Sequence, residues 1–132
     1  MDAGIKAVTA AGVFLNFLDS LTTYYILVAG IGREANPLLA PLYHQSPLMT
    51  FFVFIITSAT VVKAVYAYVA LADMLGERLR RASYRMFIVM MSVVIAGKAA
   101  VVVNNICVIT VRYDPVVRFF EQIFYPRFHI SI

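Results

Sequence analysis

The stretch MFIVMMSVVIAGKAAVVVNNICVITV, from Met86 to Val111, carries one charge, Lys98, in 26 residues. About 20 apolar residues in a helix cross a hydrocarbon core of about 30 Å, so this stretch is long enough to span a bilayer. It is too long and too continuous for a barrel strand, and a lone open strand would leave its amides unpaired in lipid. Two similar windows lie upstream: Ala7 to Ile31, interrupted by Asp19, and Leu48 to Ala72, interrupted by Lys63. Lys6 ahead of the first window gives it the look of a secretion signal. Asn16 and Asp19 break the apolar run, however, and no small-x-small cleavage site follows, so the window is read as a span.

Composition agrees with three spans. Of 132 residues, 62% are apolar and 14% charged, with a mean hydropathy of +0.85. Soluble domains are typically about 45 to 50% apolar and about 25% charged. Six glycines, five prolines and one cysteine, Cys107, exclude a collagen-like fibre and a disulfide scaffold, and the hydropathy excludes disorder. Residues 1–132 form one small membrane domain of the all-α class: three transmembrane helices, a short interfacial helix between the first two, and an amphipathic helix at the C-terminus.

The connections carry their own signals. Asn36-Pro37 has the form of an N-cap followed by proline at the first helical position, which predicts an interfacial helix from Pro37 to about Tyr43; Ser46-Pro47 repeats the device before the second span. Asp73 to Tyr84 reads as a tight turn, with Gly76 as a helix stop and Glu77 spaced to pair with Arg80 or Arg81. After Asp114-Pro115, the residues Val116, Phe119, Phe120, Ile123 and Phe124 recur at helical spacing. They predict an amphipathic helix over about 115–125, lying in the membrane surface or against another subunit.

Basic residues set the expected orientation. Lys6, Arg78, Arg80, Arg81 and Arg85 flank one membrane face, called side A; Arg33, Arg112, Arg118 and Arg127 flank the other, side B. Four arginines within Arg78–Arg85 place side A in the cytoplasm, with the N-terminus and the 73–84 loop inside and the C-terminus outside the cell membrane. The net charge of +4 therefore reads as contact with anionic lipid of the bilayer, not with nucleic acid.

Each span has a polar stripe on one face. Gly12, Asn16, Asp19, Thr23 and Gly30 share a face of the first helix; Ala59, Thr60, Lys63, Ala67 and Ala70 of the second; Met91, Lys98, Asn105 and Arg112 of the third. With the window centres aligned, Asp19 and Lys98 are level, Asn16 and Lys63 lie roughly 4 to 5 Å toward side A, and Thr23 and Asn105 lie toward side B. Ionisable groups at this depth are costly unless paired. The expectation is a buried network of Asn16, Asp19, Thr23, Lys63, Lys98 and Asn105, with either lysine as partner of Asp19. The surplus cation is neutral, snorkels to the interface, or meets Glu34. Glu34, Asn36 and Asn104 make a second candidate cluster at the side B surface.

Catalytic signatures are missing: no Ser/His/Asp or Cys/His set, phosphate loop or dinucleotide motif occurs. His44 and His129 are scattered, so neither a metal site nor a cofactor is expected. The pattern Asn16-x-x-Asp19-x-x-Thr22-Thr23, then Gly32-x-Glu34-x-Asn36-Pro37-Leu38, a lysine in the second span and Asn104-Asn105 in the third resembles a prokaryotic family of small three-span proteins known as a domain of unknown function. The resemblance covers about Gly12 to Val108; Lys98 and the aromatic tail from Asp114 onward fall outside it. It implies the three-span fold and this residue set, and brings no activity. A non-catalytic accessory or scaffold subunit, working as a homo-oligomer or with a partner membrane subunit, is the leading expectation. An oligomeric transporter or channel component is the alternative, and an intramembrane enzyme at side B the third.

Overall fold

A computed structural model describes residues 2–34, 36 and 38–111. It contains α1 (Ala3–Val28), α2 (Ala40–Gln45), α3 (Met49–Asp73) and α4 (Glu77–Val111), and no strand among the described residues. The helices α1, α3 and α4 are long and apolar enough to cross a membrane. The protein is an all-α, multi-pass membrane protein. The expected amphipathic helix at about 115–125 lies outside the described residues.

Helix α1 starts where the Asp2 carboxylate accepts the Gly4 N–H at 2.7 Å, satisfying one of the amides that a first helical turn leaves open. It stops at Gly30, whose φ of +65° allows the Gly30 and Ile31 amides to reach back to the Leu27 and Ile26 carbonyls at 3.3 and 3.2 Å. This paired closure needs a left-handed residue, which glycine adopts without cost to a side chain. Beyond this turn, Gly32, Arg33, Glu34, Asn36 and Leu39 line one cavity with residues of α1 and α4.

Three features of the connections differ from expectation. The interfacial helix α2 begins at Ala40, not at Pro37. Asn36 forms a turn instead: its side-chain oxygen accepts the Leu38 N–H at 3.0 Å, and its carbonyl accepts the Leu39 and Ala40 amides at 3.1 and 2.9 Å. Ser46 ends α2 and lends no side-chain cap to α3, which starts after Leu48. The segment expected as a tight turn, 73–84, is mostly helical, since α4 begins at Glu77. Only Met74 to Gly76 link α3 to α4. At 35 residues α4 is about 52 Å long by its 1.5 Å rise, well beyond a hydrocarbon core of about 30 Å. Its first turns, with Arg78, Arg80, Arg81 and Arg85, therefore reach past the apolar part of the helix, where Glu77 pairs with Arg81.

Helix α1 is the hub: it packs along α4 and, less extensively, along α3, while α3 and α4 meet mainly near their shared turn. At that end Ile5, Val65 and Val69 are buried against Tyr84, Phe87 and Ile88. Tyr68 stacks on Phe87 with ring centres 4.8 Å apart and donates to the Ser83 carbonyl at 2.8 Å. Tyr84 donates to Asp73 at 2.6 Å, tying the turn together. Toward side B, α1 and α3 touch through the ring pairs Phe17–Phe54 and Tyr24–Phe51.

Candidate functional site

Parallel packing of α1 on α4 brings Asp19 and Lys98 together in mid-bundle, with Asp19 Oδ2 and Lys98 Nζ 2.6 Å apart. The other carboxylate oxygen accepts from Asn105 Nδ2 at 3.2 Å. The same amide nitrogen lies 3.0 Å from Thr22 Oγ1 and 3.3 Å from Thr23 Oγ1. Thr22 donates its own proton to the Leu18 carbonyl at 2.8 Å, which leaves its lone pairs for Asn105. Among the described residues, no buried side-chain nitrogen or oxygen lacks a partner, as a low-dielectric site requires.

Two residues expected in this network stand elsewhere. Asn16 turns toward α3 and donates to Thr57 Oγ1 at 2.9 Å and Ser58 Oγ at 3.0 Å, a link between helices independent of the ion pair. Lys63 is exposed on α3, and no ion pair joins it to a described residue. The reason is rotational. α3 turns Ser58, Val62, Val65, Val69 and Ala72 inward, and Lys63 lies on nearly the opposite side of the helix. A wheel identifies a stripe on one helix without saying which stripe the neighbours cover.

The second cluster joins the first. A cavity of about 540 Å³ runs from Asp19, Thr23, Lys98 and Asn105 to Arg33, Glu34, Asn36 and Tyr43, with Asn104 also in its wall. Ile26, Leu27, Leu39, Val101 and Val108 supply its apolar sides. Glu34 is held in place by accepting the Asn36 N–H at 2.7 Å. Tyr43, from α2, is 6% exposed; burial first, then the negative charges of Glu34 and Asp19, push its hydroxyl above the ordinary tyrosine range. Close packing sets the rim: a Cβ on Gly32 would lie 2.8 Å from Ile26 Cγ2.

Sequence reasoning did not single out Ser20, Arg33 and Tyr43 as wall residues, nor Thr57 and Ser58 as partners of Asn16. Thr22 was visible within the motif. Tyr43 carried no signal, because its place depends on where α2 begins. Among the described residues no group of three His, Cys, Asp or Glu side chains could hold a metal ion, and Cys107 is a part-buried free thiol.

Three apolar helices long enough to cross a membrane, with a half-enclosed polar cavity walled by α1, the connection after it, α2 and α4, define a small multi-pass membrane protein. The chain belongs to the family described as Domain of unknown function (DUF5658), which matches residues 10–111. That match takes in the cavity walls from all their elements and stops at the end of α4. No curated protein and no solved structure matches the chain.

Proposed function

We propose that the protein is a non-catalytic membrane receptor or carrier that holds a small zwitterionic ligand in the Asp19–Glu34 cavity. The observation that carries this reading is the union of the two polar clusters in one cavity of about 540 Å³, which is within the size range of small-molecule sites. Its ionisable wall is balanced: Lys98 and Asp19 pair with each other, which leaves Arg33 and Glu34, one charge of each sign, for a ligand. A net anion or cation gains little there, whereas a ligand with separated charges of both signs finds a partner for each. The apolar wall suits a carbon chain, so the shared chemistry is an ammonium and an anionic group on a small apolar frame. A free amphoteric metabolite and the headgroup of a zwitterionic lipid both supply it.

Binding is favoured over catalysis because Asp19 is engaged by Lys98 and Asn105, while Glu34 accepts the Asn36 amide on one oxygen and keeps the other for a ligand. It is favoured over a scaffold role because a scaffold of this size gains nothing from an open polar cavity. In the orientation read from the arginines, the cavity faces the outer surface.

The test is thermal unfolding of delipidated protein in mild detergent. A free zwitterionic amino acid series and a short-chain phosphatidylethanolamine form two arms, with a phosphatidylglycerol of equal chain length as the anionic control. A ligand at 100 times its Kd adds about 2.7 kcal/mol. Stabilisation by one zwitterionic arm that is lost in Ala100→Phe, which fills the cavity wall, supports the reading. Equal response to the anionic lipid, or stabilisation unchanged in Ala100→Phe, overturns it.

A further inference from the structure

Among the described residues, Lys63 is the charged side chain near the middle of a span that no ion pair engages. We propose that the Lys63 face of α3 is a docking surface for a transmembrane helix of a different protein, one that carries a carboxylate at matching depth in the membrane. α3 runs Met49–Asp73, so Lys63 is about 3 Å from its midpoint and about 12 Å from the nearer edge of a core of about 30 Å. A lysine side chain extends about 6 Å, which leaves the ammonium short of the interface by a similar distance. Snorkelling alone does not bring it to water. A cation at that depth is costly unless it is paired, and a counter-charge is the pairing that relieves it most.

The described part of the chain offers none. Asp19 is taken by Lys98, Asp73 by Arg80 and Tyr84, Glu77 by Arg81, Asp2 caps α1, and Glu34 sits in the loop beyond Gly32. A second copy is no better, since its Asp19 is equally engaged and a symmetric contact through this face would bring Lys63 against Lys63. Charge complementarity therefore points to a hetero-partner. The surroundings permit close approach: Ala59, Thr60, Ala67 and Ala70 flank Lys63 on the exposed side of α3, and small residues let helix backbones come together in lipid. The Thr60 hydroxyl donates to the Ile56 carbonyl at 2.8 Å, and no hydrogen bond joins it to the Lys63 ammonium.

The chain has eight tyrosines, Tyr66 next to this face, and no tryptophan, which permits a label-free assay. Full-length protein is placed in phosphatidylcholine vesicles with a polyleucine single-span peptide bearing one central Glu and, one turn away, one Trp. Tyrosine-to-tryptophan energy transfer reports association. The Glu peptide is expected to associate at least about tenfold more tightly than its Gln counterpart, with the preference lost in Lys63→Gln and kept in Lys63→Arg. Helical content and melting of the Lys63→Gln protein stay those of the parent, since the side chain is exposed on α3 and makes no ion pair within the bundle. No preference for Glu over Gln, or a preference that survives Lys63→Gln, overturns the proposal. So does a preference that appears only in Asp114→Asn/Glu121→Gln, because the chain's own tail would then be the occupant. In the native membrane, a photo-crosslinker at Ala67 should join a second protein, and neutralising the in-span carboxylate of that protein should abolish the adduct. An adduct with lipid alone, with a second copy, or with a protein whose carboxylate is dispensable overturns it.

Discussion

Replacing Asp19 by Asn removes the anion from the pair at the centre of the bundle and leaves Lys98 as an uncompensated cation. The charge centres of such a pair are about 4 Å apart, worth about 4 kcal/mol at an effective dielectric near 20 and about 1 kcal/mol in water. Side-chain exposures of 38% for Lys98 and 19% for Asp19 place the pair between these limits, because cavity water screens part of the attraction. The Asn side chain can still accept from Asn105 through its oxygen, so the loss is chiefly the charge. The expected destabilisation of Asp19→Asn is about 2 kcal/mol, below the 3 to 5 kcal/mol typical of breaking a fully buried pair. Unfolding in mixed micelles with increasing SDS, followed by far-ultraviolet circular dichroism, measures it. The double variant Asp19→Asn/Lys98→Met should recover at least half of the loss, and Asp19→Asn/Lys63→Met none of it, since Lys63 stands apart from the pair. Asp19→Asn within about 0.5 kcal/mol of the parent, or equal rescue by the two lysine changes, would refute the reasoning.

Gly30→Ala should cost about 1 kcal/mol, because its φ of +65° strains any side chain even where nothing stands nearby, and Gly30→Asn should cost less; the same unfolding assay ranks the three. Tyr43 should ionise only above the usual tyrosine range, seen as a delayed phenolate absorbance missing from Tyr43→Phe. Its contribution to stability is complete below the unfolded value of 10.0 and is lost as pH rises from there through the raised folded value, since the unfolded chain releases the proton first. Glu34→Gln should bring the transition to lower pH by removing one of the repelling charges. In a Cys107→Ser background, Gly76→Cys and His44→Cys, both exposed, should react with an impermeant thiol reagent from opposite membrane faces, Gly76→Cys from the cytoplasmic one; labelling from one face alone would remove the three-span arrangement.

How far the sequence carries depends on what kind of contact is asked for. One charge per apolar window was enough to read three helices, and a common depth for Asp19 and Lys98 followed from the 1.5 Å rise. Depth is a property of each helix separately, which is why it was legible. Azimuth between helices is not, and that is where Lys63 was misjudged: its stripe with Thr60 and Ala67 is real, but α3 packs with the aliphatic stripe of Val62, Val65 and Val69. The joining of Glu34 and Asn36 to the Asp19 cluster was equally out of reach. It depends on the backward turn at Gly30 and on the Asn36 turn, which delays α2 until Ala40 and so sets Tyr43 over the cavity. The segment 73–84, expected as a tight turn, misled for another reason. Gly76 and a run of charges have the composition of a turn, yet Glu77 with Arg81 and Tyr84 with Asp73 supply helical spacing and a tether that continue α4 beyond the apolar window.

The placement of the core also bears on whether the cavity is a site or half of a conduit. Its polar walls end near Asp19 and Lys98, and toward side A the bundle is closed by Ile5, Val65 and Val69, each under 8% exposed. A water path through that end would wet these three side chains, at about 1.5 to 3 kcal/mol each, and would part the Tyr68–Ser83 bond, worth about 1 kcal/mol more. The total is at least about 5 kcal/mol, close to the 5.5 kcal/mol of differential affinity that moves an equilibrium from 1:99 to 99:1. A ligand held on the side B half makes no contact with this cluster, so it has no means of favouring the opened form to that degree. On the proposed reading, the described bundle alone would therefore take up a ligand and release it on the same face. Passage across the membrane would need a further chain to replace the contacts of α3 with α1 and α4.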